Sequence, residues 1–349
     1  MAACQRVAYA AISLLLVALF ATPAAAQRSF VDDAGRTVVL PHTINRVMAA
    51  GPPASVLLYA LAPDKMVGWV SAPSEDQKAF IAEPYRDLPA HGRVTGRGGT
   101  ANVEAILSAK PDVIVDVGTV SESYASLADR VQQQTGIPYV LLNGRFKQNS
   151  ETLRRAGELL DVGERAEKLA RYADGTLART ASFMATIPDE QKPKVYYGRG
   201  PNGLETGLAG SINMEVLEAV GAKNVAQSAG AGGLANVSVE QVLSWNPDVI
   251  LTLDTAFFSN VKTDPLWSGI SAVKAGRIFR APVLPFGWFD APPGINRVIG
   301  VSWLATVLYP GRTDIDLKQE TRDFYRLFYQ VNLTDDQVAT LLSDLRDDK

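Results

Sequence analysis

The stretch ERAEKLARYADGTLARTASFMATI, residues 164–187, decides the fold because it reads as one uninterrupted helix. Its apolar residues recur in steps of three and four, which is the period of a helix with one buried face. Gly163 precedes the stretch and Pro188 follows it, as expected at the two ends of a helix. At 1.5 Å per residue this helix would be roughly 36 Å long, about the width of a small domain. We therefore predict a rod that connects two parts of the chain.

One sequence pattern occurs on each side of this helix. The first copy, NVEAILSAKPDVIV, covers residues 102–115, and the second, SVEQVLSWNPDVIL, covers residues 238–251. The shared positions lie at one offset, since 240 − 104 and 248 − 112 both equal 136. Each copy predicts a capped short helix, a stop at proline and a buried strand. The repetition indicates an α/β fold with two Rossmann-like lobes, whose parallel sheets are joined by a single long helix.

The predicted lobes fill the rest of the chain. Residues 27–148 form the first lobe, residues 149–188 the connecting helices, and residues 189–349 the second lobe with its terminal helices. Helices alternate with strands in both lobes, and one predicted strand covers residues 66–69. Right-handed crossovers are the stable way to connect such strands, so we expect parallel sheets.

The N-terminus is typical of an export signal. Arg6 precedes an apolar run at residues 10–21, and small residues end at Ala26. Residues 1–26 are therefore predicted to be a signal peptide that is cleaved after Ala26, because the apolar run is too short to be a comfortable membrane anchor. Cys4, the only cysteine, lies before that run, so we expect no lipid anchor and no disulfide in the mature chain. A bacterial periplasm is the expected location.

Composition excludes several classes of function. The 349 residues carry a formal charge of −3 without a basic run, so we expect no nucleic acid partner. The chain has no P-loop, no G-x-S-x-G and no H-E-x-x-H motif, so we expect no enzymatic activity. Its two histidines, His42 and His91, are far apart in sequence. A bare transition metal usually needs imidazole or thiolate ligands, so we expect no metal site and no cofactor.

Aromatic and arginine side chains follow several predicted strands or lie in two Gly-containing loops. In open α/β sheets the ligand binds beyond the carboxyl ends of the strands. Aromatic rings supply flat contact area, and guanidinium groups bind anionic oxygens in pairs. These residue types suit a planar or chelated anionic ligand, although any one of them is more often structural. The candidate ligand-binding residues are Trp69, Arg97, Arg145, Tyr197, Arg199 and Trp288.

Glu104 and Glu240 occupy the same position in the two copies of the repeat. A carboxylate in a first helical turn interacts favourably with the helix dipole, by about 0.3–1 kcal/mol, and this alone would explain both residues. Exposed charges also steer one protein towards another. Both interpretations stay open on the residues alone.

A family resemblance rests on DDAGRTV at residues 32–38, the two repeat copies, the long single helix and the signal peptide. Together these features resemble the periplasmic binding proteins of iron-siderophore and cobalamin ABC importers, the class III binding proteins. The resemblance implies that Glu104 and Glu240 meet arginines of a membrane permease. The manganese and zinc branch of the family uses several histidines, a pattern from which this sequence departs. No ligand residue carries over.

The expected function is capture of a metal chelate, with a ferric siderophore as first choice, and its delivery to an ABC permease in the inner membrane. Cobalamin, haem or an oxyanion such as molybdate are the alternative ligands. A secreted enzyme on the same fold is the alternative of another class. We expect the protein to be a monomer.

Overall fold

Eleven strands and thirteen α-helices are present in residues 27–96 and 102–345, which the computed structural model describes. The strands are β1 (Gln27–Val31), β2 (Thr37–Pro41), β3 (Val47–Ala49), β4 (Val113–Gly118), β5 (Tyr139–Asn143), β6 (Lys194–Tyr197), β7 (Glu205–Gly207), β8 (Lys223–Asn224), β9 (Leu234–Asn236), β10 (Val249–Thr252) and β11 (Ile278–Arg280). The helices are α1 (Pro52–Leu61), α2 (Glu75–Lys78), α3 (Val103–Ala109), α4 (Glu122–Thr135), α5 (Asn149–Leu160), α6 (Gly163–Met184), α7 (Glu215–Ala219), α8 (Val239–Trp245), α9 (Thr255–Asn260), α10 (Ser271–Lys274), α11 (Arg297–Leu308), α12 (Leu317–Phe324) and α13 (Asp335–Leu341). The predicted signal peptide lies outside the described residues.

Two parallel sheets lie on either side of α5 and α6 in the chain. The first has the strand order β3-β4-β5, and the second has the order β11-β10-β6-β8. Every pairing within these two sheets is parallel. Two short antiparallel pairs, β1-β2 and β7-β9, accompany them. This architecture confirms the predicted α/β fold of two Rossmann-like lobes joined by a long helix, while the exact lobe boundaries stay a prediction.

The repeated Pro-Asp dipeptide performs the same task in both lobes. Asp112 Oδ2 accepts hydrogen bonds from the backbone N–H groups of Asn45 and Arg46, both at 2.8 Å, just before β3. Asp248 Oδ2 accepts one at 2.8 Å from the N–H of Lys194, at the start of β6. Each aspartate therefore fixes the beginning of the neighbouring strand. This contact explains why the dipeptide occurs at the same place in each copy.

The long helix α6 packs one face against the rest of the protein, as its periodicity predicted. Ala166, Leu169, Ala170 and Ala173 are all buried. Helix α5 lies close against it, because a Cβ atom built on Gly157 would stand 2.3 Å from the Cβ of Ala166. The helix ends at Met184, three residues before the predicted end. Proline disfavours the helical conformation of the residue before it, so Pro188 prevents the helix from continuing through Ile187.

The strand predicted at residues 66–69 is not formed. Met66 and Trp69 make only isolated bridges, to Val47 and Ala90. The backbone is diverted at Gly68, where a Cβ atom would stand 2.2 Å from the carbonyl oxygen of Pro89. The backbone at Gly68 therefore packs against the loop at Pro89, and residues 66–69 do not form a continuous ladder of strand hydrogen bonds.

Candidate ligand-binding cleft

A cavity of about 670 Å³ lies beyond the carboxyl ends of the parallel strands. Pro52 follows β3, Thr119 follows β4 and Arg199 follows β6, and all three line the cavity. Strands β3 and β4 belong to the first sheet and β6 to the second, so both lobes contribute to its wall. This is the position where open α/β sheets bind ligands.

An apolar wall is built around Trp69 and Phe286. Their ring centroids lie 6.1 Å apart, and both residues line the cavity. The indole Nε1 of Trp69 donates a hydrogen bond of 2.7 Å to the carbonyl oxygen of Tyr85, which fixes the orientation of the ring. Gln77 Nε2 donates one of 2.9 Å to the carbonyl oxygen of Pro285, so the loop that carries Phe286 is tied to the first lobe.

Arg199 is held in the cavity by carboxylates. Its Nε lies 3.0 Å from Asp290 Oδ2, and its Nη1 forms an ion pair with Glu205. Asp290 is fully buried and also accepts hydrogen bonds from the hydroxyl of Tyr197 at 3.1 Å and from Nδ2 of Asn213 at 2.7 Å. Burial opposes the charge of Arg199, yet Asp290 keeps the pKa of the guanidinium above its ordinary value. The guanidinium is therefore fixed before any ligand arrives.

Asp116 supplies a second buried carboxyl on the first lobe. It accepts hydrogen bonds from Oγ1 of Thr95 at 3.1 Å, from the hydroxyl of Tyr139 at 3.2 Å and from the N–H of Val117 at 3.0 Å. Burial raises the pKa of Asp116 above its ordinary value, and these three donors oppose the rise. The carboxyl group lies in the cavity wall at the carboxyl end of β4.

Positive and negative groups nearly balance in the wall of the cavity. Among the described residues, Arg93 and Arg199 line it together with Asp116, Glu205 and Asp290. Among these described residues, the wall carries no surplus of positive charge. A ligand that carries both polar and apolar groups suits such a wall better than a small free anion does.

Two of the candidate residues line the cavity, and one lies outside the described residues. Trp69 and Arg199 both face the cavity. Arg97 belongs to residues 97–101, whose structure is not described. The residues brought together are thus an indole on the first lobe and a guanidinium on the second.

Tyr197 and Trp288 do not reach the cavity, which corrects the prediction of direct ligand contact. Tyr197 is 1% exposed, because β6 lies inside a parallel sheet that is covered on both faces. Trp288 is fully buried, and its Nε1 donates a hydrogen bond of 3.2 Å to the hydroxyl of Tyr325. Helix α11 approaches closely here, since a Cβ on Gly300 would stand 1.8 Å from the carbonyl oxygen of Trp288. Tyr197 acts on the cavity through Asp290, to which its hydroxyl donates a hydrogen bond.

Arg145 does not line the cavity, and its predicted ligand contact stays a prediction. Its Nε forms an ion pair of 2.9 Å with Glu215 Oε1, and its Nη1 donates a hydrogen bond of 3.1 Å to the carbonyl oxygen of Gly210. Both partners belong to the second lobe, whereas Arg145 follows the last strand of the first. The opposite charge of Glu215 therefore draws the guanidinium across to the other lobe and away from the ligand space.

Sequence reasoning missed Asp116 and Asp290. Asp116 left a signal, because it is the only charged residue in the otherwise apolar strand β4. A buried charge at a strand end is a typical mark of a site. Asp290 left no such signal, because its partner Tyr197 lies 93 residues away in the chain.

Glu104 and Glu240 are exposed in the first turns of α3 and α8. The caps of these helices are equivalent: Asn102 Oδ1 accepts from the N–H of Ala105 at 2.8 Å, and Ser238 Oγ accepts from the N–H of Gln241 at 3.3 Å. The hydroxyl of Ser238, with the backbone N–H of Glu240 itself, lowers the pKa of Glu240. The N-cap residue two positions before each glutamate therefore carries the cap, and both glutamate side chains are exposed.

No group of three or more His, Cys, Asp or Glu side chains that could hold a metal ion is found in residues 27–96 and 102–345. His42 is exposed, and Nε2 of His91 lies 3.1 Å from the carbonyl oxygen of Val67. Within the same residues, no helix combines the length and apolar character that crossing a membrane requires.

The sequence profile described as "Periplasmic binding protein" matches residues 51–283. The chain belongs to the periplasmic binding protein family. The matched region contains both copies of the repeat and the helix between them. The family resemblance inferred from the sequence is thereby confirmed, and with it the role of binding protein for an ABC transporter.

Individual relatives extend this comparison over most of the chain. An ABC transporter solute binding protein from Sulfurospirillum deleyianum has a TM-score of 0.82 and 31% identity, covering 90% of this chain and 99% of its own. The molybdate-binding protein MolA of Haemophilus influenzae is 27% identical over 94% of this chain and 99% of its own length. A vitamin B12-binding protein of Salmonella typhimurium is 26% identical over 63% of this chain and 81% of its own.

Proposed function

We propose that this chain captures a metal chelate in the cleft and delivers it to the permease of an ABC importer, with a ferric siderophore as the first candidate. The observation that carries the proposal is the apolar-walled cavity of about 670 Å³, in which Asp290 holds the guanidinium of Arg199 in place. Sites for organic ligands of drug-like size have volumes of about 300–1,000 Å³ and are mostly apolar with a few placed polar groups. Trp69 and Phe286 would contact the organic arms of the chelate, and Arg199 would bind its anionic oxygens.

The balance of charge in the wall favours a chelate over a free oxyanion. Asp290 and Glu205 already pair with Arg199, so a small dianion would meet few uncompensated positive groups. A chelate spreads its charge over a larger body and brings apolar surface of its own. Guanidinium groups remain well suited to its carboxylate, catecholate or hydroxamate oxygens.

Molybdate is the second candidate, because a relative that covers 94% of this chain is a molybdate-binding protein. Cobalamin follows, since vitamin B12-binding relatives cover 63% of the chain. Both would use the same cleft. A molybdate ion would occupy only a small part of the cavity of about 670 Å³.

A titration of the purified protein with a ligand panel tests this proposal. The panel contains ferric complexes of catecholate, hydroxamate and carboxylate siderophores, cobalamin, haem, and sodium molybdate with sulfate as its control. Tryptophan fluorescence reports binding, and Trp69→Phe identifies the signal from the cleft. We expect a ferric siderophore to bind at least tenfold more tightly than molybdate. Tighter binding of molybdate than of every chelate would overturn the choice of ligand.

We further propose that Glu104 and Glu240 dock the permease. Charge reversal at both positions, Glu104→Arg with Glu240→Arg, should leave ligand affinity unchanged, because neither residue lines the cavity. Uptake of the ligand by cells should fall, since like charges placed opposite each other across an interface cost several kcal/mol. Normal uptake by the double variant would leave the two glutamates with a helix-dipole role only.

The proposal includes export without lipid attachment, with a mature chain that begins at Gln27 and is monomeric. The intact mass of the exported protein, with light scattering, checks all three features. An enzymatic role is the alternative of another class. Chemical conversion of a panel ligand in repeated turnovers by the purified protein would favour it.

A further inference from the structure

Each lobe exposes a leucine at the same position of the repeated helix. Leu107 on α3 is 46% exposed, and Leu243 on α8 is 37% exposed. The two residues are 136 positions apart, which is the offset of the repeat. In the described part of the chain only one other leucine, Leu266, is exposed. Both lobes therefore leave part of an apolar side chain in contact with water at equivalent places.

The leucine shares a helix face with the glutamate one turn earlier. Glu104 and Leu107 are three residues apart, as are Glu240 and Leu243, and side chains at this spacing are neighbours on a helix surface. All four side chains are exposed, whereas the opposite faces of α3 and α8 are buried. Each lobe therefore presents the same strip, a carboxylate beside an apolar side chain, which we call the Glu-Leu strip.

The charge of the strips indicates what could cover them. Within residues 27–96 and 102–345, no ion pair involves Glu104 or Glu240, and the lowered pKa of Glu240 keeps that carboxylate ionised. The complementary surface carries a basic group beside an apolar contact. Because the two strips are copies of one pattern, the partner would present that surface twice.

The glutamate end of each strip lies towards the cleft side of the protein. The residues just after the two helices are fixed to the beginnings of strands, through Asp112 next to β3 and Asp248 next to β6. The last turns of α3 and α8 are therefore at the amino edges of the sheets. Their first turns point to the carboxyl edges, where the cavity opens.

We propose that Leu107 and Leu243 are docking contacts that act with Glu104 and Glu240 on one partner, the membrane permease of the importer. The leucines would supply the apolar part of the contact on each lobe, and the glutamates its charge. This inference rests on the proposed function, in which the two glutamates alone dock the permease.

Site-specific cross-linking tests the inference. A photoreactive benzoylphenylalanine replaces Ser108 in one protein and Ser244 in another, since both serines are exposed beside the strips and equivalent in the repeat. Each purified protein is titrated against inner-membrane vesicles of the source organism. We expect both positions to capture the same integral membrane polypeptide. Different polypeptides at the two positions, or none, would overturn the inference.

The leucines are then tested in the cross-linking proteins. Leu107→Ser and Leu243→Ser should each raise the protein concentration needed for half-maximal capture by about tenfold, because a buried leucine contact with the partner is lost. Leu266→Ser is the matched control and should change nothing. Exposed substitutions of this kind barely affect folding, and a thermal melt verifies this for each variant.

Charge reversal at Glu104 and Glu240 separates the two proposals. If reversal abolishes capture while both serine variants behave like the wild type, the leucine inference is wrong and the docking role of the glutamates stands. If neither change affects capture, both are wrong. Loss of capture in both sets of variants is the result we expect.

Discussion

Replacing Glu215 with glutamine should weaken the contact between the two lobes at the base of the cleft. Glu215 is nearly buried and accepts a hydrogen bond of 2.9 Å from the N–H of Phe146. Its carboxylate lies 2.9 Å from Nε of Arg145 and 3.3 Å from Nη1 of Arg297. Arg297 is fully buried and also donates to the carbonyl oxygen of Gly144 at 3.2 Å. One carboxylate thus joins residues from both lobes.

The two arginines should contribute unequally to the loss. Removing one partner of a buried ion pair costs about 3–5 kcal/mol, because the other charge is left uncompensated. Burial lowers the pKa of Arg297, and Glu215 is the largest influence that opposes it. The Arg145 side chain is 40% exposed, so its pair with Glu215 is worth only about 0–1 kcal/mol. The glutamine can still accept the hydrogen bond from Phe146, which places the expected loss at about 3 kcal/mol.

Chemical denaturation at neutral pH, followed by circular dichroism, measures this loss. Glu218→Gln is the matched control, since Glu218 is an exposed carboxylate on the same helix. Arg145→Met should cost less than about 1 kcal/mol by the same reasoning. An unfolding free energy of Glu215→Gln within about 0.5 kcal/mol of the wild type, the range of neutral surface changes, would refute the assigned role of the buried pair.

Three further predictions follow from the site and the repeat. Arg199→Ala should weaken binding of the tightest panel ligand roughly 10- to 100-fold in a fluorescence titration, and Arg326→Ala, at an exposed arginine, should not. Asp112→Ala and Asp248→Ala should each lower the unfolding free energy by about 1–3 kcal/mol. The loss should be larger for Asp112, because it accepts hydrogen bonds from two backbone N–H groups before β3 whereas Asp248 accepts one at the start of β6; equal losses in denaturation curves would contradict this. Burial raises the pKa of Asp116 in the folded protein, so its charged form destabilises the folded state at pH values above that pKa. As pH falls from above the folded-state pKa to the ordinary pKa of an aspartate, the wild type should gain stability relative to Asp116→Asn. A stability difference that is constant with pH would contradict it.

The two-lobed fold could be predicted because it depends on local sequence patterns. Apolar residues recur every three to four positions in the helix Gly163–Met184, and Pro188 follows its end. The Pro-Asp dipeptides act through one or two hydrogen bonds to the backbone at the start of the neighbouring strand, partners that the sequence alone does not identify. The strand expected at residues 66–69 failed for a tertiary reason, the close approach of the backbone at Gly68 to Pro89.

The cleft was harder to predict because its network joins residues that are distant in sequence. Position after a strand correctly placed Arg199 beside the cavity, but it could not tell which aromatic rings turn inward. Tyr197 is buried although it is near the strand end, because both faces of its sheet are covered. Arg145 forms an ion pair with Glu215 of the other lobe, and no local sequence pattern predicts such a partner.

The central claim is that the cleft holds a metal chelate. Native mass spectrometry of the protein isolated from the periplasm of its source, without added ligand, tests this most directly. We expect an added mass that corresponds to an iron complex of an organic ligand, that is released on unfolding, and that is less abundant in Arg199→Ala. A bound mass equal to a bare molybdate ion would contradict it.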